Sequence, residues 1–307
     1  MLRFLAYRLI QSAIVLFIIV TVTFFLVRAA PGGPYSRERA VSPHILEKLE
    51  EQAGLNKPLF EQYTIYMGNL LKGDLMNSYK YEGRRVVDII GDALPISVNL
   101  GLIALVIALG VGIPTGVISA ARQNSWVDYS FMSVAMIGIC LPTFVLGPLL
   151  ALFFAINLNF FNASGWYDST DWVLPSLTLG LYYAAYIARI ARGGMLEVLN
   201  QDFIRTARAK GVPPSKVLTR HALRGGLLPV ISYMGPAFAA LITGSFVIEK
   251  VFAIPGMGQH FIDAAFNRDF TLISGVVIVY GTLIVFLNLA VDVVQILIDP
   301  RQKFSTK

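Results

Sequence analysis

The chain has 307 residues, of which 55% are hydrophobic and only 14% charged, against about 25% charged in ordinary soluble domains; its mean hydropathy is +0.64, and a soluble enzyme domain is excluded. The formal charge of +6 would suit a polyanion, but the Lys and Arg crowd some stretches and avoid others, which marks topology and not a nucleic-acid face. No nucleic-acid partner is expected, and a lipid bilayer is.

Uncharged apolar stretches of about 20 residues, the length a helix needs to cross roughly 30 Å of hydrocarbon, predict six transmembrane helices. They cover residues 9–27, 95–121, 129–156, 172–188, 227–248 and 272–291. The expected class is therefore all-α and polytopic. Residues 1–28 form a first membrane helix, 29–94 an extracytoplasmic helical cap, and 95–307 a five-helix core with a cytoplasmic loop at 193–226. The first span follows Arg3 and Arg8 and ends near Ala29 and Ala30, so it also reads as a secretory signal. A signal's apolar region is about 7–15 residues, and this run is longer, which favours an uncleaved anchor.

The cap opens on Pro31 to Pro34 and then shows helical periodicity in 44–53 and 58–71, with Leu46, Leu49, Leu59, Tyr63, Tyr66 and Leu70 as its apolar stripe. Charge sets the orientation. With the N-terminus inside, the inner segments carry fourteen Lys and Arg, ending with Arg301, Lys303 and Lys307, and the short outer connections carry two, Lys250 and Arg268. The remaining nine lie in the long first connection, where the positive-inside bias no longer applies. Both termini are expected in the cytoplasm.

Several spans contain residues that loosen or break helices. Gly110, Gly112, Pro114 and Gly116 lie in the second, Pro142, Gly147 and Pro148 in the third, Gly235 and Pro236 in the fifth. They serve either as hinges or as small residues that let helices approach closely. Uncharged polar and aromatic groups, Asn99, Ser133, Thr143, Tyr182, Tyr183, Tyr233 and Thr243, are candidates to line a substrate path.

The inner loop holds a self-punctuated helix, Asn200-Gln-Asp-Phe-Ile-Arg-Thr-Ala-Arg-Ala-Lys-Gly211. Asn200 is placed to cap it, Asp202 sits in the positive first turn, Arg208 and Lys210 in the negative last turn, and Gly211 supplies a left-handed exit before Pro213 and Pro214. A helix this short is marginal alone and must pack on something.

The stretch from Asp202 to Pro229, with Phe203-Ile-Arg-Thr-Ala-Arg-Ala-Lys-Gly211, Arg220-His-Ala-Leu-Arg224 and Leu227-Leu-Pro229, resembles the cytoplasmic signature of binding-protein-dependent ABC permeases of the dipeptide/oligopeptide/nickel branch. Aligned on Gly211, residues Arg205, Thr206 and Ala207 fall on that signature's Glu-Ala-Ala triplet, so only Ala207 and Gly211 match its general form. Phe24 to Pro34, Phe246 to Gly258, in which Pro255-Gly-Met-Gly258 also reads as a tight turn, and Asn267-Arg-Asp269 are similar to segments of the same branch. The wording from Tyr35 to Gly73 is most like the B-type subunit of oligopeptide permeases.

The resemblance implies a type I ABC importer permease in a bacterial inner membrane. It implies a paralogous second permease subunit, two ATPase subunits and an extracytoplasmic peptide-binding protein docking on the cap. It makes 200–211 the coupling helix, with Asp202, Phe203, Arg205, Thr206, Ala207, Arg208 and Gly211 as coupling residues. Arg205 and Arg208 then meet acidic or carbonyl groups of an ATPase, while Phe203 and Ala207 pack inward. Dipeptide, nickel and glutathione importers share the architecture.

No Gly-x-x-x-x-Gly-Lys-[Ser/Thr] loop occurs, so ATP and Mg are expected in partner subunits and none in this chain. The single Cys140 leaves no thiolate pair, and His44, His221 and His260 fall outside the spans, so neither a metal nor a catalytic group is expected. An ion-coupled secondary transporter is the rival reading. Such proteins place charged groups at mid-membrane, and the six spans contain no Asp, Glu, Lys, Arg or His; Asp292 lies near the inner end of the last. A membrane scaffold is the third.

Overall fold

A computed structural model describes residues 2–30, 32–35, 43–81, 83–243 and 245–298. Pro31, Arg301, Lys303 and Lys307 lie outside them, as do the side chains of Arg3, Leu46 and Leu49.

Helix α1 (Leu2–Ala29) is followed by α2 (Pro43–Gln52) and α3 (Leu59–Leu71), then by the long α4 (Val86–Ala121). Next come α5 (Trp126–Cys140), α6 (Thr143–Leu150) extended by a wider π turn at Ala151–Asn157, and α7 (Val173–Leu199) entered through a 3₁₀ turn at Ser169–Trp172. The short α8 (Asp202–Ala209) and α9 (Pro214–Lys216) lead through a π stretch, Val217–Ala222, into α10 (Leu223–Gly226). The chain continues as α11 (Leu228–Thr243), α12 (Phe246–Val251), α13 (Met257–Asn267) and α14 (Phe270–Ile298). Among the described residues five helices are long and apolar enough to cross a membrane, and six if the bent pair α5 and α6 counts as one span.

The helices outrun the apolar stretches that predict them. The second starts at Val86, nine residues before Pro95, because Asp88 and Asp92 sit in its exposed outer turns. The third span is broken: α5 and α6 meet at 105°, with Leu141 and Pro142 extended between them. Pro142 has no N–H to continue a helix and disfavours helical geometry in the residue before it. By contrast α4 runs unbroken through Pro114.

The chain divides into two compact units, Met1–Ser97 with Pro255–Val285, and Val98–Ile254 with Phe286–Lys307. This differs from the predicted partition, which joined everything after residue 95.

In the first unit α3 packs on α1. Val20, Phe24 and Tyr66 are buried together, with Tyr63, Met67 and Leu70 against them. Tyr63 Oη lies 2.8 Å from Thr21 Oγ1, and Arg28 Nε donates to Gln62 Oε1 at 3.0 Å while its guanidinium covers the Phe24 ring at 3.7 Å. The stripe read from sequence is corrected at Leu59, which is 46% exposed, since it occupies the first position of α3, one turn short of that contact. Asp269 ties this unit together. Its buried carboxylate caps α14 by accepting from Leu272 N (3.1 Å) and also accepts from Tyr79 N (3.2 Å), Lys80 N (3.4 Å), Thr271 Oγ1 (2.9 Å) and Ser78 Oγ. Pro255-Gly-Met-Gly258 is a helix start and not a tight turn: Gly256 is extended, α13 begins at Met257, and Met257 N donates to Ser97 Oγ at 2.9 Å.

In the second unit the glycines of α4 decide how close α7 comes. A Cβ on Gly112 would stand 2.7 Å from the Ala184 carbonyl oxygen, and one on Gly116 would collide with that of Ala188. Gly110 meets nothing. Small residues four apart thus let two backbones touch, as in membrane helix pairs generally. Gly147 likewise packs against Phe252, and Gly235 against Val291.

Two carboxylates just outside the predicted spans are buried in helices. Asp128, in the first turn of α5, is 1% exposed and receives Arg192 of α7 through Nε and Nη2, both at 2.7 Å, together with Ser119 Oγ and Asn124 N (3.0 Å). Glu249 on α12 is fully buried, its Oε1 2.6 Å from Ser245 Oγ.

Candidate coupling surface and inner cavity

Helix α8 is built by its ends. The preceding α7 stops at Leu199, where Asn200 Nδ2 turns back to donate to Leu196 O at 2.9 Å. Asn200 therefore closes α7 and does not cap α8, which corrects the expectation. The capping position belongs to Gln201, extended at φ −76° and ψ 155° with no side-chain bond to the helix. Asp202 stands in the first turn, 3.4 Å from Arg205, where a carboxylate meets the positive end of the helix. At the other end Gly211 N donates to Arg208 O at 3.0 Å and Val212 N to Ala207 O at 3.2 Å. Gly211 has φ +75° with open space around it, so glycine is required there by backbone conformation and not by crowding.

The inward face of α8 consists of Ile204, fully buried, and Ala207. They join Ala120, Met195, Val198, Val217 and Ala222 in one apolar cluster. Phe203 is 47% exposed, so the expectation that it packs inward is corrected. At about 100° per residue Ile204 and Ala207 share a face, and Phe203 falls on its flank. Asp202, Arg205 and Thr206 form the exposed opposite face. Ile204 lies three residues before Ala207 and Phe203 four, spacings that both suit one helix face.

Beside α8 lies a cavity of about 710 Å³. Its polar lining comes from Arg122, Gln123 and Ser125 in the turn after α4, and from Asn200, Arg208 and Ser215. Its apolar lining includes Leu196, Leu199, Val217 and Leu218. Arg122 was counted in the sequence only as a topology charge.

Of the candidate path residues, the structure gathers the tyrosines. The Tyr182 ring stands 5.4 Å from that of Tyr183 and 5.3 Å from that of Tyr186. Tyr183 and Tyr233 pack against the same buried group, Ala108, Ile187, Ala191 and Val230. Tyr186, one turn beyond Tyr182 and not among the candidates, joins their rings. The other four are spread along the unit. Asn99 on α4 and Ser133 on α5 are exposed, Thr143 opens α6, and Thr243 ends α11 with Oγ1 donating to Ala239 O at 2.9 Å. Among the described residues no group of three or more His, Cys, Asp or Glu is gathered as for a metal.

The model of the family described as "Binding-protein-dependent transport system inner membrane component" matches residues 112–304, and that family's N-terminal model matches 1–101. The chain belongs to this family. Oligopeptide transport system permease protein OppB of Haemophilus influenzae is 46% identical to this permease over 306 residues, covering 99% of this chain and 100% of the relative. Dipeptide transport system permease protein DppB of Bacillus subtilis is 40% identical over 307 residues, covering 100% of both. The methionine ABC transporter MetNI, solved in inward-facing conformations, contains a chain that superposes with a TM-score of 0.61 at 16% identity, over 69% of this permease and 96% of that chain. The fold is that of ABC importer permeases, and the protein is a multi-pass component of a bacterial inner membrane. The reading of an ion-coupled secondary transporter is thereby set aside.

Proposed function

We propose that this permease carries oligopeptides into the cell along a path it shares with a paralogous permease subunit, and that two separate ATPase subunits drive it by docking on α8. The observation that carries this reading is the build of α8. It is a helix of eight residues, closed by Gly211 and anchored through Ile204 and Ala207, that turns Asp202, Arg205 and Thr206 outward. A short rigid helix fixed by its inner face transmits motion without deforming, and its outward Arg205 meets acidic or carbonyl groups of an ATPase. ATP and Mg belong to those partners. The permease is a transport component and not an enzyme. An extracytoplasmic peptide-binding protein docks on the cap formed by 29–94, and Tyr182, Tyr183 and Tyr233, with Asn99, Ser133, Thr143 and Thr243, line the peptide's route.

Oligopeptide cargo is supported by the 46% identity to the OppB protein. A dipeptide cargo is the second reading, supported by the 40% identity to the DppB protein. Gly211→Val places a β-branched residue in the left-handed region, at a cost of about 1–2 kcal/mol, and Ala207→Asp pushes a charge into the inward face. Both variants should insert in the membrane yet lose peptide-stimulated ATP hydrolysis in the reconstituted transporter; unchanged stimulation refutes docking on α8. Uptake into vesicles should need ATP on the inner side and survive collapse of the proton gradient. Competition by peptides of two to five residues separates the cargo readings.

A further inference from the structure

The cavity beside α8 contains two arginines whose guanidinium groups have no carboxylate partner among the described residues. Arg122 and Arg208 enter it from different segments, and the remaining polar lining is amide and hydroxyl: Gln123, Asn200, Ser125 and Ser215. Not one lining residue is acidic. The buried carboxylate of Asp128, three residues beyond Ser125, is already held by Arg192 in a two-point pair. The cavity is thus a built concentration of positive charge and neutral donors, the lining that a phosphate oxygen takes.

Two further observations indicate its depth in the membrane. The cavity opens at the last turn of α4, where its apolar run ends, beside the last turn of α7, and Leu196, Leu199 and Leu218 supply a greasy wall. Immediately beyond Ser125, Trp126 is 80% exposed and Tyr129 is 62% exposed. Exposed Trp and Tyr at the end of a span mark the headgroup layer, where an apolar ring and a polar tip are both accommodated. The face of α8 that carries Asp202, Arg205 and Thr206 points elsewhere, since Arg208 falls on the flank beside Ile204 and Ala207. A basic pocket between helix ends at headgroup depth suits an anionic phospholipid.

We infer that this cavity binds the phosphate of an anionic phospholipid, with Arg122 and Arg208 on the phosphate and the leucine wall along the upper acyl chain. The chain's own C-terminal segment does not fit as occupant, because Arg301, Lys303 and Lys307 repeat the cavity's charge. The inference needs only membrane embedding, and holds whatever the cargo.

The test uses the full chain in mixed micelles of phosphatidylcholine doped with phosphatidylglycerol, read by native mass spectrometry. Wild type should retain one phosphatidylglycerol in preference to phosphatidylcholine. Removing two headgroup-level arginines should lower that retention about thirtyfold, so Arg122→Gln/Arg208→Gln should lose the preference. Arg122→Lys/Arg208→Lys should keep most of it, and Arg220→Gln/Arg224→Gln, which removes equal charge from the same loop outside the cavity, should leave it intact. Equal loss in that control pair overturns the inference, because general surface charge then explains retention. Displacement of the lipid by millimolar inorganic phosphate assigns the site to free phosphate and overturns the lipid. Unchanged lipid retention in Arg122→Gln/Arg208→Gln overturns it as well.

Discussion

Asp128→Ala removes the acceptor at the centre of the α5 to α7 contact. In the native chain Asp128 Oδ1 and Oδ2 receive Arg192 Nε and Nη2, each at 2.7 Å, and the carboxylate also takes Ser119 Oγ and Asn124 N. Asp128 is 1% exposed and the Arg192 side chain 27%. Removing one partner of a buried pair costs about 3–5 kcal/mol, mostly because the other charge is stranded. Arg192 retains some water, so the expected loss is about 2–4 kcal/mol. The same account requires Asp128→Leu/Arg192→Met, which strands no charge, to lie within about 1 kcal/mol of wild type. Unfolding by SDS in mixed micelles, followed by far-UV ellipticity, measures both. A single variant within about 0.5 kcal/mol of wild type, or a double variant as damaged as the single, refutes the reasoning.

Three further outcomes are expected. Gly116→Val drives a side chain into the Ala188 carbonyl and to 2.7 Å from Ala191 Cβ, for about 1–3 kcal/mol of overpacking, whereas Gly110→Ala, in open space, should be neutral or slightly stabilising; SDS unfolding of the two compares them. Ile204→Ala should cost about 2–4 kcal/mol because its site is fully buried outside the membrane, while Phe203→Ala, half exposed, should cost well under that; limited proteolysis of the 200–226 loop reads the difference. Burial holds the His260 imidazole below its ordinary value, with Asp263 and Asp92 opposing and Arg84 adding to the shift. Its folded form stays neutral where the unfolded form protonates, so stability should fall as the pH drops through about 6.5, and His260→Gln should flatten that decline in thermal unfolding between pH 7.5 and 5.5.

What the sequence determined by itself was set by local forces. An apolar run long enough to span hydrocarbon must become a helix there, because nothing else satisfies its backbone. Gly211 likewise announces the end of α8, since φ +75° is a conformation that side chains resist and glycine accepts. The membrane class, the succession of spans and the existence of α8 were legible for those reasons.

Tertiary structure decided whatever depends on a partner distant along the chain. Asp128 and Glu249 lie beside apolar runs, where nothing in the local sequence announces burial, yet both are buried, Asp128 by a guanidinium 64 residues away. Periodicity could not say whether Phe203 or Ile204 turns inward, because the surface receiving α8 is assembled from Met195, Val217 and Ala222. The glycines of α4 read equally as hinges or as contacts until α7 was seen to lie against Gly112 and Gly116 and not against Gly110. Hydropathy and capping are properties of neighbours in sequence; charge pairing, close packing and the cavity between Arg122 and Arg208 are properties of neighbours in space.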